Sequence, residues 1–540
     1  MANQPQQHSN EGRPRESVRE VLISIVISFA MAFVFRSFVV EPFMIPTGSM
    51  APTLLGAHVQ ARSPLTGDEW AINPRDYVRG TETPLPVQGS DYGPINVTDP
   101  HTGPPANRRL VTSYRGEGAG ILLSHNNMPL QAGDRILVLK HIYALRAPRR
   151  WEIIVFKSPE TPKENFIKRL VGLPGEQLRI VDGDIFTRPI NSESEDDWTI
   201  ERKPDRVQRT LWRTLFSSEF TPITQLGQQP DWSAPWVGDG WDEHDAAYTF
   251  TAADSVAASL RWDAVRWPVT DWEPYNELLP QRGLPIVRFP VGDVRVRAGV
   301  EPASSDFSTA VTITARSEEF QATIASGTVT LQMRHDGTDA WTELASGPGV
   351  AWRPGHVHNI EVWHFDQTLE LWIDGARKLR ATYDWDAAER LRNSIPSENP
   401  EPSLAQIVNP GAYTRTQARF NFAGEVNGLK LHRVGLDRDL YHQAGRSRGR
   451  PGALRAVTEK TSVTLNKDEF FVLGDNSPAS RDARMWDHVN PWIADQIDDK
   501  IGVVNRRLIM GKAFFVYWPA RYRGAWGLPI PDFGRMRFVF

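Results

Sequence analysis

The chain's apolar residues fall mostly into short runs, but one run near the N-terminal end is long enough to cross a membrane as a helix. Residues 21–35 are apolar at thirteen of fifteen positions, and residues 38–40 extend the run after two polar residues. Together they make about 20 residues, the length of a helix that spans roughly 30 Å of hydrocarbon. The run has no polar face and no well-placed small-x-small cleavage site before Glu41, which disfavours a buried soluble helix and a cleaved signal peptide. We predict a transmembrane anchor over residues 18–40.

The residues before this anchor are polar and mixed in charge, which is typical of a disordered tail over residues 1–17. Arg13, Arg15 and Arg19 lie on that side of the span, and acidic neighbours count little in the positive-inside rule. We therefore predict a cytoplasmic tail and place the remainder of the chain on the external side of the membrane.

Beyond the anchor, short segments of alternating apolar and polar residues predict a mainly β protein. Residues 135–140 and 152–156 are predicted strands, and residues 165–180 are predicted to form two strands around a glycine turn. The stretch 56–130 is rich in Gly, Pro, Asn and Asp and has little periodicity, which predicts a loop-rich insertion. Residues 41–186, which contain that insertion, form the first part of a predicted β core.

The middle of the chain has a different pattern. Residues 187–286 are heterogeneous, with acidic runs and several Trp, and are predicted to be irregular. Residues 287–440 contain evenly spaced short strands separated by turns, which predicts a β-sandwich. Within it, Leu371-Trp-Ile-Asp-Gly375 resembles a strand and turn of the concanavalin and laminin-G-like jelly rolls, a likeness that implies a fold but no ligand. Residues 456–540 return to short strands and are predicted to complete the β core.

Composition narrows the possible chemistry. The 540 residues include no cysteine, which excludes disulfides, cysteine-based zinc sites and a cysteine nucleophile. The net charge of −4, with both signs mixed along the chain, gives no argument for binding nucleic acid. The 13 histidines form no His-Glu-x-x-His pattern, and we interpret His356 and His358 as polar residues on the sandwich surface.

A proline-bounded turn directly after the apolar run presents a candidate nucleophile, Ser49, beside Gly48. A serine hydroxyl is a weak nucleophile and needs a base, and no histidine is an obvious candidate for that role. Lys168 lies among apolar residues on a predicted strand, and burial favours the neutral amine that a base must be. Each residue taken alone also fits a plain alternative, an ordinary turn residue for Ser49 and a solvated strand lysine for Lys168.

Four motifs, taken together, resemble the motif boxes of type I bacterial signal peptidases. Ile45-Pro-Thr-Gly-Ser-Met-Ala-Pro-Thr-Leu54 resembles the nucleophile box, and Gly133-Asp-Arg-Ile-Leu-Val138 resembles the strand motif that follows it. Ile167-Lys-Arg-Leu-Val-Gly-Leu-Pro-Gly-Glu176 resembles the lysine box, and Gly474-Asp-Asn-Ser-Pro-Ala-Ser-Arg-Asp-Ala-Arg484 resembles the third box. The long middle lies outside the resemblance, which covers residues 18–60, 131–186 and 460–525.

The resemblance implies a Ser/Lys dyad in which Ser49 is the nucleophile and Lys168 is the general base. It implies that the Thr47 hydroxyl and the Ser49 N–H hold the oxyanion, and that Ser480 orients the lysine. The positions that support the site are Arg169, Gly474, Asp475, Asn476, Asp482 and Arg484. The positions that line apolar substrate pockets are Phe43, Ile45, Pro46, Met50, Leu54 and Ile167.

Two departures from the family pattern lie in the third box. Ser477-Pro-Ala479 stands where Arg-x-Asn is frequent, and Ala483 stands where serine is common. Both lie beside the matched positions, so they bear on local hydrogen bonds and leave the dyad assignment unchanged.

The resemblance implies a mainly β serine endopeptidase (EC 3.4.21 class) with an inserted sandwich, held in the inner (plasma) membrane by a single span. Its catalytic domain is expected on the external, periplasmic side, where it removes N-terminal signal peptides through an acyl-enzyme. The expected partners are signal-peptide-bearing preproteins and the lipid bilayer, with no nucleic acid, no metal and no cofactor. The sandwich is expected to be non-catalytic, and whether it has a ligand or partner stays open.

Two other classes of protein are open at this point. A different Ser/Lys protease, such as a self-cleaving repressor, is disfavoured by the membrane-length run and the lack of a DNA-binding domain. A membrane-anchored binding protein, in which the sandwich functions and the protease is dead, is disfavoured by the intact Ser49 and Lys168.

Overall fold

The computed structural model describes most of the chain, and its mainly β character confirms the class predicted from the alternating pattern. The described residues are 18–38, 40–63, 66–73, 95–102, 120–123, 130–222, 233–252, 255–276, 287–397, 399, 401–444, 455–519, 521–523, 529–531 and 533–540. The predicted disordered tail, residues 1–17, lies outside these ranges.

The predicted anchor region forms helix α1, Val18–Phe38. Apolar side chains of α1 between Val21 and Met31 are exposed. No helix among the described residues combines the length and the apolar character needed to cross a membrane, so the predicted transmembrane anchor is not confirmed. The later helices are short: α2 (Ile142–Leu145), α3 (Asp205–Leu211), α4 (Ala387–Ser394), α5 (Leu404–Ile407) and α6 (Pro491–Gln496).

Strands β1–β12 precede the sandwich. They are β1 (Val40–Met44), β2 (His58–Arg62), β3 (Glu69–Ile72), β4 (Ile95–Thr98), β5 (Gly120–Leu123), β6 (Leu130–Gln131), β7 (Arg135–Lys140), β8 (Ile153–Lys157), β9 (Asn165–Gly172), β10 (Glu176–Val181), β11 (Asp184–Pro189) and β12 (Thr199–Ile200). The stretch 56–130, predicted to be loop-rich, therefore contains strands: β2 pairs with β3 and β6, and β4 pairs with β5.

Strands β13–β27 build the sandwich. They are β13 (Arg213–Ser217), β14 (Trp236–Val237), β15 (Trp241–His244), β16 (Ala247–Phe250), β17 (Ala257–Trp262), β18 (Val294–Glu301), β19 (Phe307–Ala315), β20 (Glu318–Ile324), β21 (Thr328–His335), β22 (Thr342–Pro348), β23 (His358–Phe365), β24 (Thr368–Ile373), β25 (Ala376–Thr382), β26 (Gln417–Gly424) and β27 (Lys430–Arg438). One sheet has the order β15-β16-β27-β18-β23-β24-β25, and the facing sheet has the order β14-β17-β26-β19-β20-β21-β22.

The two sandwich sheets enclose one apolar core, to which the segment 187–286 contributes directly. That segment was predicted to be irregular, yet β13 pairs with β27 and β17 pairs with β26. Its tryptophans explain the difference, because Trp236, Trp262 and Trp267 are buried and pack edge to face in the core. The sandwich therefore begins at β13 and not at residue 287.

The chain then returns to the β core. The last strands are β28 (Val463–Leu465), β29 (Glu469–Leu473), β30 (Val504–Asn505), β31 (Ile509–Trp518), β32 (Arg521–Arg523), β33 (Pro529–Pro531) and β34 (Arg537–Phe538). The main core sheet mixes strands from before and after the sandwich in the order β1-β7-β31-β8-β9-β29-β30. Antiparallel pairing of β9 with β29 places Leu473 opposite Arg169, and so brings the lysine segment beside the third box.

Buried ion pairs join the β core to the sandwich. Asp182 and Asp184 lie at the turn between β10 and β11, and both are buried. The Arg316 Nε lies 2.6 Å from an Asp182 carboxylate oxygen, and Arg390 contacts both aspartates. Because these arginines belong to the sandwich, its position relative to the core is fixed by buried charge as well as by apolar contact.

Candidate active site

The nucleophile turn follows the first strand of the core sheet. After β1, the Ile45 N–H donates to the Asp134 carbonyl at 2.9 Å, and the Leu55 N–H donates to the Asp134 carboxylate at 2.8 Å. Between these two contacts the chain forms a short 3₁₀ helix, Gly48–Met50, in which Ser49 is 9% exposed. A single aspartate thus fixes both ends of the turn that presents the serine hydroxyl.

Lys168 reaches this turn from the middle of β9. Its Nζ lies 2.6 Å from the Ser49 Oγ and 3.0 Å from the Ile167 carbonyl oxygen. The lysine is 4% exposed, and its Nζ lies 5.5 Å from the centre of the Phe166 ring. The pairing of β8 with β9 sets Lys168 opposite Ile154, so the amine is carried on a central strand of the sheet.

The third box closes around the backbone of the same turn. The Asn476 N–H donates to the Ser49 carbonyl at 3.1 Å, and the Asn476 Nδ2 donates to the Gly48 carbonyl at 2.9 Å. Gly474 allows this close approach, because a Cβ at that position would lie 2.4 Å from the Ser49 carbonyl oxygen. The structure therefore brings Ser49, Lys168, Gly474 and Asn476 together.

Two buried ion pairs hold the third box in place. Arg169 binds Asp475 through two 2.7 Å contacts, and both side chains are fully buried. Arg484 binds Asp482 at 2.8 and 2.7 Å, and the Gly474 N–H also donates to Asp482. Burial by itself would raise the pKa of both aspartates, but the paired guanidinium groups outweigh it and hold each pKa below the ordinary value.

Two predicted site residues are placed differently from the rest. Ser480 is buried beside Gly474, and its hydroxyl interacts with the Asp482 carboxylate. Thr47 precedes the 3₁₀ helix in an extended conformation and is half-buried. The orienting and oxyanion roles of these two residues stay predictions.

The residues predicted to line substrate pockets share one apolar cluster, with one exception. Ile45, Met50, Leu54 and Ile167 are buried in that cluster, and Phe43 packs against it. Pro46 is exposed and lies outside the cluster. The cluster forms an apolar wall that includes the residues on either side of Ser49 and the residue before Lys168.

No motif marks three further residues beside the nucleophile turn, all of which lie within residues 187–286. Asn276 exchanges two hydrogen bonds with the side chain of Asn476. Tyr275 is buried against Gly48, and Arg213 donates to the Thr53 hydroxyl at 2.7 Å. They lie in a stretch that was predicted to be irregular, where no pattern marks a residue that contacts a distant turn.

Two groups of side chains among the described residues are close enough together to share a metal ion. One is Glu160 with Asp487 and His488, and the other is Asp184 with Asp293, Asp366 and Asp439. Cations of the chain already neutralise both groups, since Arg481 contacts Glu160 at 2.7 Å and Lys203 contacts Asp439 at 3.0 Å. Neither group lies among the residues that contact Ser49, so we assign no metal to the site.

Two segments of the chain match a known protein family. The family model described as signal peptidase, peptidase S26, matches residues 120–214 and 426–518. These segments contain Lys168 and the third box, and they pair through β9 and β29. These two segments match the S26 signal peptidase family. The recognition made from the four motifs is confirmed, although the nucleophile turn lies outside the matched residues of this S26 core.

Named relatives of the S26 core are signal peptidases. Signal peptidase I of Rickettsia typhi is 24% identical over 217 residues, which cover 39% of this chain and 61% of that protein. Probable signal peptidase I-2 of Synechocystis sp. is 32% identical over 99 residues, which cover 17% of this chain and 44% of that protein. The chain thus spans less than two thirds of the length of each relative.

Similar solved structures show only weak likeness to this chain. The potassium-bound carbohydrate recognition domain of Emp46p matches with a TM-score of 0.25 and 8% identity, over 39% of this chain and 92% of that one. The carbohydrate-binding module CBM66 of Bacillus subtilis matches with a TM-score of 0.22 and 7% identity, over 38% of this chain and 95% of that one. These scores carry no argument about a ligand, and the sandwich is defined by its own sheet order.

Proposed function

We propose that the chain is a serine endopeptidase that removes N-terminal signal peptides from exported preproteins, with Ser49 as nucleophile and Lys168 as general base. The observation that carries the proposal is the 2.6 Å separation of Lys168 Nζ and Ser49 Oγ, between residues 119 positions apart in the chain. A nucleophile within hydrogen-bond reach of a buried base is the arrangement that activates a serine. The peptidase S26 match supports the same reaction class.

The proposed acylation step begins with the neutral Lys168 amine. It takes the Ser49 hydroxyl proton while Oγ attacks the carbonyl carbon of the scissile bond. The Ser49 N–H and the Thr47 hydroxyl donate to the oxyanion, and removing one such donor typically costs about 10²–10³ in rate. When the tetrahedral intermediate collapses, the C–N bond breaks, the Lys168 ammonium protonates the leaving amine, and Ser49 keeps the acyl group.

Deacylation uses the same two residues. The Lys168 amine takes a proton from a water molecule, which attacks the Ser49 ester, and the ammonium then returns that proton to the Ser49 Oγ as the acid leaves. Signal peptides end in small residues, which need shallow apolar pockets. The apolar wall that contains Ile45, Met50 and Ile167 supports such a pocket beside the dyad.

The proposal also places the enzyme at the inner (plasma) membrane, with α1 as its anchor and the S26 core on the external side. This part rests on the apolar run of residues 21–35 and on the exposed apolar side chains of α1. A nucleophile that directly follows such an anchor would lie near the bilayer surface, where the cleavage site of a signal peptide emerges.

Cleavage of a preprotein with an Ala-x-Ala site tests the dyad. We expect Ser49→Ala and Lys168→Ala each to abolish cleavage, because one removes the nucleophile and the other removes its base. Lys163→Ala changes an exposed lysine just before β9 and serves as the matched control, with wild-type cleavage expected. We also expect the wild-type rate to rise with pH as Lys168 loses its proton. Wild-type rates for either dyad variant would refute the assignment.

A further inference from the structure

A short segment of the insertion leaves the sandwich and ends at the nucleophile turn. This bridging segment, residues 271–276, is anchored to the sandwich by Arg438 at the end of β27. The Arg438 guanidinium donates to the Trp272 carbonyl at 2.9 Å and contacts the Glu273 carboxylate at 3.2 Å. At its other end, the Tyr275 carbonyl accepts from the Asn73 N–H at 2.9 Å. The segment is therefore held at both ends.

The last residue of the bridging segment pairs with the third box. Asn276 Nδ2 donates to the Asn476 Oδ1 at 2.5 Å, and Asn476 Nδ2 donates to the Asn276 Oδ1 at 3.0 Å. Both side chains are buried, with 4% and 2% exposure. Since Asn476 Nδ2 also donates to the Gly48 carbonyl, its two N–H groups serve Gly48 and Asn276.

This pairing sets the orientation of the Asn476 amide. If the amide were turned by 180°, its oxygen would face the Gly48 carbonyl and its nitrogen would face the Asn276 Nδ2, which also donates. Both contacts would then be repulsive in a buried site, where an unsatisfied polar group costs about 1–3 kcal/mol. With the Asn276 amide oriented as it is here, only the observed orientation of Asn476 satisfies both contacts.

Tyr275 packs on the other side of the same turn. An added Cβ on Gly48 would lie 2.3 Å from Cε1 of the Tyr275 ring, so the ring and the turn backbone are in direct contact. Tyr275 is buried in a small apolar cluster with Ala51 and Leu55, which follow the 3₁₀ helix. The bridging segment therefore touches the nucleophile turn through both a ring and an amide.

We propose that Asn276 is a positioning residue for the nucleophile, although it belongs to the insertion and not to the S26 core. It fixes the Asn476 amide, which holds the Gly48 carbonyl, so that the turn presents Ser49 Oγ to Lys168. The inference rests on the proposed function of Ser49 and Lys168. A misplacement of about 1 Å at a reacting group can cost on the order of 10²-fold in rate.

The test uses Asn276→Asp in the full chain, with cleavage of a fluorogenic peptide that carries an Ala-x-Ala site. A protonated aspartic acid can donate to Asn476 Oδ1 and accept from its Nδ2, as the asparagine does, whereas the carboxylate cannot donate. Because residue 276 is buried, desolvation disfavours the carboxylate and favours the protonated acid at pH 5. We therefore expect the ratio of the Asn276→Asp kcat to the wild-type kcat to be near one at that pH. By pH 8 we expect it to fall at least about tenfold, with little change in KM. Using the ratio removes the pH dependence of the dyad itself.

Two companion variants separate positioning from general structure. Asn276→Leu should lower kcat by about tenfold or more at every pH, because it offers no hydrogen bond at any pH. Asn421→Asp, on a sandwich strand where the amide oxygen accepts from Ser259, should give a ratio that does not depend on pH. If Asn276→Leu does not fold, the pH dependence of Asn276→Asp still decides the question.

The outcomes distinguish this inference from the proposed function. If Ser49→Ala abolishes cleavage but Asn276→Asp follows the wild type at every pH, the positioning role is overturned and the dyad stands. Wild-type kcat for a folded Asn276→Leu would overturn it in the same way. If Ser49→Ala keeps wild-type cleavage, the proposed function falls and the positioning role falls with it.

Discussion

At the scale of single residues, the site depends on charges that are buried only because each has a partner. Asp475 and Arg169 are both fully buried, and their contact supports the strand that carries Lys168. Removing one member of such a pair leaves the other as an isolated buried charge. The site therefore combines the proposed dyad, Ser49 and Lys168, with buried ion pairs in which the loss of one partner destabilises the fold.

Asp475→Asn tests that dependence. We expect it to lower the free energy of unfolding by about 3–5 kcal/mol, because Arg169 then stays buried without a counter-charge. Urea unfolding followed by tryptophan fluorescence measures the change. Glu69→Gln removes one side of the pair between Arg62 and Glu69, which is 3.6 Å long and whose arginine side chain is 74% exposed. That control should change the free energy by less than about 1 kcal/mol, and an equal loss in both variants would contradict the argument.

His442, near the end of the insertion, gives the protein a predictable sensitivity to acid. Burial, reinforced by the nearby Arg484 charge, lowers its pKa from 6.5 to about 3. The unfolded chain therefore binds a proton between these pH values that the folded chain does not bind. The contribution of His442 is fully present above pH 6.5 and is lost as the pH falls toward 3, by about 1.4 kcal/mol per pH unit.

His442→Leu should remove that contribution. As the pH falls from 6 to 4.5, the free energy of unfolding of the variant should decrease less steeply than that of the wild type. The two slopes should differ by about 1.4 kcal/mol per pH unit. The ring nitrogens of His442 have no hydrogen-bond partner among the described residues, so the substitution removes no such bond. Urea titrations across this range measure the slope. His244→Leu, at a residue whose side chain is 86% exposed, should leave the slope unchanged, and an unchanged slope in His442→Leu would refute the argument.

The contact between Ser49 and Lys168, the proposed dyad, could be predicted from the sequence, whereas the residues around it could be predicted only in part. Ser49 and Lys168 occur in motifs whose order and spacing are distinctive when taken together. Ser480 matches its motif position and interacts with Asp482, and its role beside Lys168 stays a prediction. Asn276 has no motif, because its role comes from a contact with Asn476, 200 positions later. The pattern of residues within one short segment of the sequence cannot predict a contact between residues so far apart.

At the scale of elements, prediction worked where alternation extends over several residues. The strands β7, β8, β9 and β10 follow the predicted segments closely, because each is an uninterrupted run with apolar residues on a buried face. The segment 187–286 differs, since some of its strands, such as β12 and β14, are only two residues long. Runs that short have no measurable period, and tertiary pairing with β11 and β17 decides their conformation.

Helix α1 carries the proposed anchoring role alone, so it can be tested alone. We expect a chain that lacks residues 1–38 to stop sedimenting with anionic lipid vesicles, because the exposed apolar side chains of α1 are gone. Cleavage of a short soluble peptide should be unchanged, since Ser49 lies in the turn after β1 and Lys168 lies on β9, both outside the deleted residues. Replacing Val26 and Phe29 with Asp should release the full-length protein in the same way. Continued sedimentation of both variants would contradict the anchor.

At the scale of the whole molecule, the insertion and the S26 core share two kinds of contact. Sandwich arginines Arg316 and Arg390 neutralise Asp182 and Asp184 of the core, and the bridging segment reaches the nucleophile turn. Both contacts are buried, so separating the two parts would expose unpaired charged and polar groups to solvent. We infer that the two parts behave as one folding unit, although the family match leaves out residues 215–425, which make up most of the sandwich.

Deleting residues 190–455 and joining the ends with a short linker tests this unity. We expect loss of peptide cleavage and of cooperative thermal unfolding, because Asp182, Asp184 and Asn476 lose their partners. Removing only Gly337–Asp339, from the exposed turn after β21, should preserve both properties. Full activity of the large deletion would show that the S26 core needs nothing from the insertion.

The wide sequence separation of Ser49 and Asn476 also has a consequence for biosynthesis. At typical synthesis rates of 5–20 residues per second, about 20–90 s pass between the appearance of these two residues on the ribosome. Throughout that interval the serine turn lacks the asparagine that holds its backbone. Under the proposed function, the nascent chain therefore lacks a positioned nucleophile, and cleavage would begin only after the insertion has been translated.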